Sequence, residues 1–271
     1  MLLSRVAEHL YWAARYLERA EDTARVIGEH THLLVDLPTS VPLTWEPLLA
    51  VTGSGGTFRE YYPAPDERNI ITFLLADREN PSSVVSSVVA ARENLRTTRE
   101  VLPREAWQAL NDLYLYATSH HTEAVDRRSR GRFLDKVIGE CQRFVGIVSG
   151  TMSRDEAYQM LRLGRHIERA DMTSRVLDVR AVALLAQSAD GDEGAAAHDE
   201  VQWAAVLRSV SAFESYRKVY RDAITPLRVA ELLILRDNMP RSLHACMDEA
   251  YEILQMLATP QAAEAVRLAG E

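Results

Sequence analysis

Only two cysteines occur among the 271 residues, Cys141 and Cys246. Neither stands in a Cys-x-x-Cys or Cys/His spacing, so nothing suggests a structural zinc site, and buried free thiols in a reducing compartment are expected. Long hydrophobic runs are missing as well. No 18 apolar residues follow one another, and the opening MLLSRVAEHLYW has no apolar core of signal length. A membrane span and a leader are therefore not expected, which predicts a cytoplasmic location. Positive charge is in deficit. A net charge of −8 and a pI near 5.6 argue against nucleic acid as a partner. Nucleophile motifs are absent: there is no Gly-x-Ser-x-Gly, and neither cysteine has a neighbouring basic motif. Gly53-Ser54-Gly55-Gly56 lacks the Lys-Ser/Thr that would follow in a phosphate-binding loop, and is expected to be a flexible loop. No motif asks for a cofactor.

Strands are missing too. The best β-branched stretch, SVVSSVV at 83–89, lies between an N-cap signal and the helical ARENLRTTRE. What remains is helical period. Over residues 4–34, Val6, Leu10, Ala13, Leu17, Ala20, Ala24 and Ile27 share one stripe at 100° per residue, as in an amphipathic helix facing a core. Prolines and glycines interrupt residues 36–66, predicting an irregular connection with one turn of helix near 45–50. Helices are expected at 67–76, from the Asn80-Pro81 cap signal to 101, from Pro103 to 120, and over 128–151. Ser153-Arg154-Asp155-Glu156 reads as a capping box opening a helix to 186. Residues 188–199, small and acidic, read as a mobile loop. Helices at 201–222, 226–237 and 241–258 follow, with a frayed end beyond. This is an all-α protein: a single multi-helix bundle over 1–271 with two pseudo-repeated long helices.

Those two helices carry nearly the same charged nonapeptide. LERAEDTAR at 17–25 returns as IERADMTSR 150 positions later. Arg15, Glu18, Arg19 and Arg25 match Arg165, Glu168, Arg169 and Arg175, while Met172 stands where the first copy has Asp22. On a helix, Arg15, Glu18 and Arg25 fall within about 80° of one another. Three readings fit. Arg–Glu pairs one turn apart decorate solvated helix faces at roughly 0.2–0.5 kcal/mol each. Alternatively, two such helices pack about a pseudo-twofold axis, so that Glu18 reaches Arg169 and Glu168 reaches Arg19 as a structural latch. Or the set lines a ligand pocket, joined by Arg92, Glu93, Asn94 and Arg96 and by Glu214, Arg217 and Tyr220. A di-iron bundle needs Glu-x-x-His on two helices, and Glu29-x-x-His32 is the single example. Magnesium between Glu18 and Glu168 is chemically conceivable, but no metal is expected.

The doubled Glu-Arg motif, Glu18-Arg19 and Glu168-Arg169, resembles the alpha-E domain family, a bacterial all-helical family named for it. RVAEHLYWAARYLERAEDTAR, FLLADRENPSSVVSSVVAARENLR, MSRDEAYQMLRLGRHIERADMTSRVLDVR, LRSVSAFESYRKVY and NMPRSL are similar to family segments along the whole chain. Arg92, Glu93 and Asn94 match its A-R-E-N segment. The resemblance implies company: members typically stand beside circularly permuted ATP-grasp proteins and transglutaminase-like proteases. The function it implies is a helical accessory or scaffold protein of an ATP-grasp amide-ligase system, binding a partner protein or a peptide. The rival is an enzyme acting on a peptide or amino-acid derivative, with Glu18 or Glu168 as general base. A third reading is a structural module that self-associates, although no residue specifies such an interface.

Overall fold

The computed structural model describes residues 2–36, 44–188 and 195–257, and among them there is no strand. The helices are α1 (Ser4–Asp36), α2 (Glu46–Val51), α3 (Gly55–Tyr61), α4 (Glu67–Leu75), α5 (Val84–Arg96), α6 (Arg104–His120), α7 (Arg127–Thr151), α8 (Glu156–Ser188), α9 (Ala195–Ser209), α10 (Phe213–Tyr220), α11 (Pro226–Ala230) and α12 (Leu243–Leu257). A π-helical turn, Glu231–Leu235, continues α11.

Two 33-residue helices, α1 and α8, form the axis of the fold. Each is about 50 Å long at 1.5 Å per residue. They run parallel: the Leu2 amide meets the Glu156 carboxylate, Ala14 lies against Gly164, and Glu18 against Arg169. The stripe Leu10, Ala13, Leu17, Ala20, Ala24 and Ile27 is buried, as its spacing predicts. The polar side of α1 is enclosed as well. α5, α7, α8 and α9 all pack on α1, so Glu18, Glu21 and Asp22 lie inside the protein. Gly164 permits the close approach of the two long helices. A Cβ there would sit 2.2 Å from the Tyr11 carbonyl oxygen and 3.1 Å from Ala14 Cβ. Ala14 and Gly164 are themselves 150 positions apart, so the repeat meets itself at this crossing.

Several expected boundaries are corrected. The segment 36–66 contains α3 as well as α2. Gly53 adopts φ +65° and Ser54 precedes α3, so the Gly-Ser-Gly-Gly stretch is a defined turn and helix start. Ser83, not Asn80, caps α5, accepting from Ser86 N at 3.1 Å. Asn80 instead donates to the Phe73 carbonyl at the end of α4. α5 stops at Arg96, and a 3-10 turn, Arg99–Val101, follows. Asp155, not Ser153, caps α8. Of the loop expected over 188–199, residues 195–199 are helical and 189–194 lie outside the described residues, as does the expected frayed end beyond 257. The helix expected over 201–222 is broken at Ser211, whose φ of 53° turns the chain from α9 into α10.

A second internal repeat becomes visible in the structure. Pro81-Ser82-Ser83 before α5 matches Pro240-Arg241-Ser242 before α12, 159 positions on. The local geometry is the same. Ser83 N donates to Asn80 O as Ser242 N donates to Met239 O, at 3.0 and 2.9 Å. Ser83 Oγ accepts from Ser86 N as Ser242 Oγ accepts from Ala245 N, at 3.1 and 3.0 Å. α5 packs on α1 and α12 packs on α8. The fold therefore has two related halves, each a long helix with a capped shorter helix against it.

Candidate functional site

The nonapeptides face each other across the α1–α8 contact. Glu168 accepts from Arg19 through both oxygens, Nε–Oε1 at 2.5 Å and Nη2–Oε2 at 3.0 Å, and from Arg15 Nε at 2.6 Å. Glu18 accepts from Arg169 Nε at 2.5 Å. Glu18 is 2 % exposed and Glu168 1 %. Farther along, Arg25 pairs with Glu21 at 2.8 Å and Arg175 with Asp171 at 3.0 Å, the same i, i+4 bond in each copy. Arginine suits this role because its planar fork satisfies a carboxylate with two parallel bonds.

The symmetry fails at one residue. Arg241 enters the acidic face of α1, reaching Glu18 at 3.0 Å, Glu21 at 3.3 Å and Asp22 at 2.5 Å. The Thr173 hydroxyl donates to its backbone carbonyl at 3.0 Å. Its counterpart in the other half is Ser82, which cannot reach. A cavity of about 240 Å³ opens there, lined by Arg19, Thr23, Ser82, Glu168, Asp171 and Met172 among others. Met172 now has a reason: the half with the inserted guanidinium carries Asp22, and the half without it carries methionine. The exchange extends to the arginines. Arg15 takes the place at Glu168 that Arg241 takes at Glu18, and Arg165, the counterpart of Arg15, has no ion pair or hydrogen bond among the described residues. Sequence reasoning missed Arg241, Glu21 and Asp22. The signal that could have found Arg241 is the Pro-x-Ser repeat before α5 and α12.

Electrostatics follow from this crowding. Burial alone would raise Glu18, but Arg241 and Arg169 outweigh it and hold the carboxyl below its usual range. Arg241 is held above the ordinary arginine value, since Asp22, Glu18 and Glu21 overcome the effect of burial. Burial pushes Asp22 up to about 7; Arg241 pulls it down, and Glu18 and Glu21 push it up. Because Asp22 holds its proton more tightly folded than unfolded, its contribution to stability is complete below about pH 4 and is lost as pH rises toward 7. Buried His30 and His166, pulled down to about 4 and about 3, work in the other direction, losing stability as pH falls below the ordinary histidine range. Comparing variants isolates the aspartate. Asp22→Asn should gain on the wild type between about pH 5 and about pH 8 in denaturant unfolding. A difference that stays constant over that range would assign the raised value elsewhere.

Other expected members of a pocket do not converge here. Arg92 donates to Asn111 at 3.0 Å and lies over Tyr114, toward α6, and Glu93 pairs with Arg92 and Arg96 at the surface. Asn94 faces His9 at 2.7 Å. Glu214 and Arg217 sit on α10, with Arg217 over Phe213, apart from the α1–α8 contact. No three His, Cys, Asp or Glu residues among those described are placed to hold a metal. Both carboxylates considered for magnesium face guanidinium groups instead. Cys141 and Cys246 are buried and unpaired. No helix among the described residues is long and apolar enough to cross a membrane.

An all-helical fold built from two related halves, joined through reciprocal Glu-Arg pairs, defines the class. The chain belongs to the Alpha-E family, described as a predicted alpha-helical domain with a conserved ER motif, whose model matches residues 2–271. It is 23% identical over 264 residues to uncharacterised proteins of Mycobacterium bovis and Mycobacterium tuberculosis. The match covers 88% of this chain but 28% of those relatives, so the chain spans little more than a quarter of their length. No solved structure matches it.

Proposed function

We propose that this chain is a single, non-catalytic helical domain that serves an ATP-grasp amide-ligase system by binding a partner protein, with the Glu-Arg centre acting as a structural latch. The observation that carries the non-catalytic part is the closure of Glu18 and Glu168. A general base needs an accessible carboxylate near its substrate. Both are buried, and their oxygens already accept from arginines. Glu18 is also shifted downward, toward a weaker base. The geometry therefore does not favour the enzyme reading.

Two further facts support work in company. The relatives carry this region as a minor part of much longer chains. α12 leaves Met247, Tyr251 and Leu254 exposed at i, i+4 and i+7, on one side of the helix. The partner class, an ATP-grasp ligase-like or transglutaminase-like protein, rests on the family resemblance. The test is direct mixing of the purified chain with the ATP-grasp ligase-like and transglutaminase-like proteins of its own source, read by light scattering after size exclusion. A defined complex with either is expected. The chain eluting alone in both mixtures, as a monomer or as a self-associated species, would refute the partner assignment.

A further inference from the structure

The symmetry break leaves a cation without a close ion pair among the described residues. In the first half, Arg15 reaches Glu168; in the second, Arg241 has occupied Glu18, and Arg165 has no ion pair among the described residues. Arg165 is mostly buried, and its Nε is buried with no hydrogen-bond partner among the described residues. An unpaired charge in a protein interior is unfavourable unless something arrives to compensate it.

Arg165 lines a cleft of about 550 Å³ between α8 and α12, which it shares with Arg154, Arg162, Arg169, His166 and Glu249. The charge there is one-sided. Glu249 is the single carboxylate among the described residues that line the cleft, and it is engaged by Arg162. Arg169 spends its Nε on Glu18. Arg154 lies over the Tyr158 ring at 4.2 Å and donates to the Ser149 carbonyl, with no acidic partner among the described residues. Two guanidinium groups, Arg154 and Arg165, thus stand beside one opening without a salt bridge among the described residues, Glu18 and Glu249 acting on Arg165 only from farther off. The neighbouring His166 is 6 % exposed; its Nε2 lies 3.8 Å from Glu249, and its Nδ1 has no hydrogen-bond partner among the described residues. The same cations act on each other. Burial first, then the charge of Arg169, pulls Arg165 down to about 10 against the opposing pull of Glu18 and Glu249, and His166 is pushed down by burial and by Arg165. All this occurs in a chain of net charge −8, where general attraction for anions is not expected.

We propose that this cleft binds a doubly charged oxyanion ligand, a phosphoryl group or a pair of carboxylates, with Arg165 as its central contact and Arg154 at its rim. Guanidinium groups recognise both through parallel N–H donors. The proposal does not depend on the partner reading.

The experiment uses the whole chain with two probes, inorganic pyrophosphate and the dipeptide Glu-Glu, measured by calorimetry and by the shift in Tm. Binding of at least one probe is expected. Arg165→Met should weaken it by about tenfold or more, while leaving Tm unchanged or raised, because no ion pair is lost. Arg154→Gln, at an exposed position, should also weaken binding, and it decides the matter if Arg165→Met folds poorly. Pyrophosphate binding alone identifies a phosphoryl ligand; Glu-Glu binding alone identifies a carboxylate pair. Failure of both probes at millimolar concentration, or binding untouched by both substitutions, overturns the proposal.

Discussion

Arg241→Met should remove most of the stability of this protein. Arg241 is 6 % exposed and is the shared partner of Glu18, Glu21 and Asp22. Methionine fills much of the same volume but leaves three buried carboxylates together. Breaking one buried pair typically costs about 3–5 kcal/mol, against about 5–15 kcal/mol for a whole domain. The loss should depend on pH in a defined direction. Without the guanidinium, Glu18 loses the leading charge that holds its carboxyl low, and Asp22, already raised, is pushed higher still. Their contribution is then retained near the ordinary carboxylate range and lost as pH rises. The deficit against the wild type should be largest near pH 8 and shrink toward about pH 5. Urea unfolding at both values tests this. Equal deficits at the two pH values would mean that Arg241 acts through packing and not through charge.

Glu168→Ala should cost about 3–5 kcal/mol, because Arg15 and Arg19 would both lose their acceptor inside the α1–α8 contact. Glu168→Gln keeps the shape and one acceptor oxygen, so it should fall between the alanine variant and the wild type. Glu93→Ala supplies the surface comparison. Its pairs with Arg92 and Arg96 are solvated, and exposed pairs of this type are worth about 0–1 kcal/mol. A Tm for Glu168→Ala as close to wild type as that of Glu93→Ala would rule out the latch.

How much of this was legible beforehand differs by element. The stripe from Leu10 to Ile27 placed α1 closely, and the 150-residue repeat offered the reciprocal pairing of Glu18 with Arg169 and Glu168 with Arg19 as one of three readings without deciding among them. Local signals competed elsewhere. Asn80 and Ser83 are both good N-caps; only the position of the Phe73 carbonyl decides that Asn80 closes α4 and Ser83 opens α5. The break at Ser211 has no glycine or proline to announce it. The largest omission, Arg241, has a tertiary cause. It is one arginine before a helix start, and its importance appears only when α12 is placed against α8. For the same reason Arg15 and Arg165 look equivalent in the sequence, yet one is paired and the other is not.

The distance along the chain between Arg241 and its carboxylates has a consequence for synthesis. Asp22 and Arg241 are 219 residues apart. At about 5–20 residues per second, the acids of α1 leave the ribosome roughly 10–40 s before the arginine they require. During that interval they must remain hydrated, so α1 cannot settle into its final enclosure. Arg241, just ahead of α12, the last of the described helices, supplies the missing cation. Completion of the core is thereby tied to completion of the chain through α12, and a nascent chain stalled before that point should stay open and acidic instead of closing around a half-made centre.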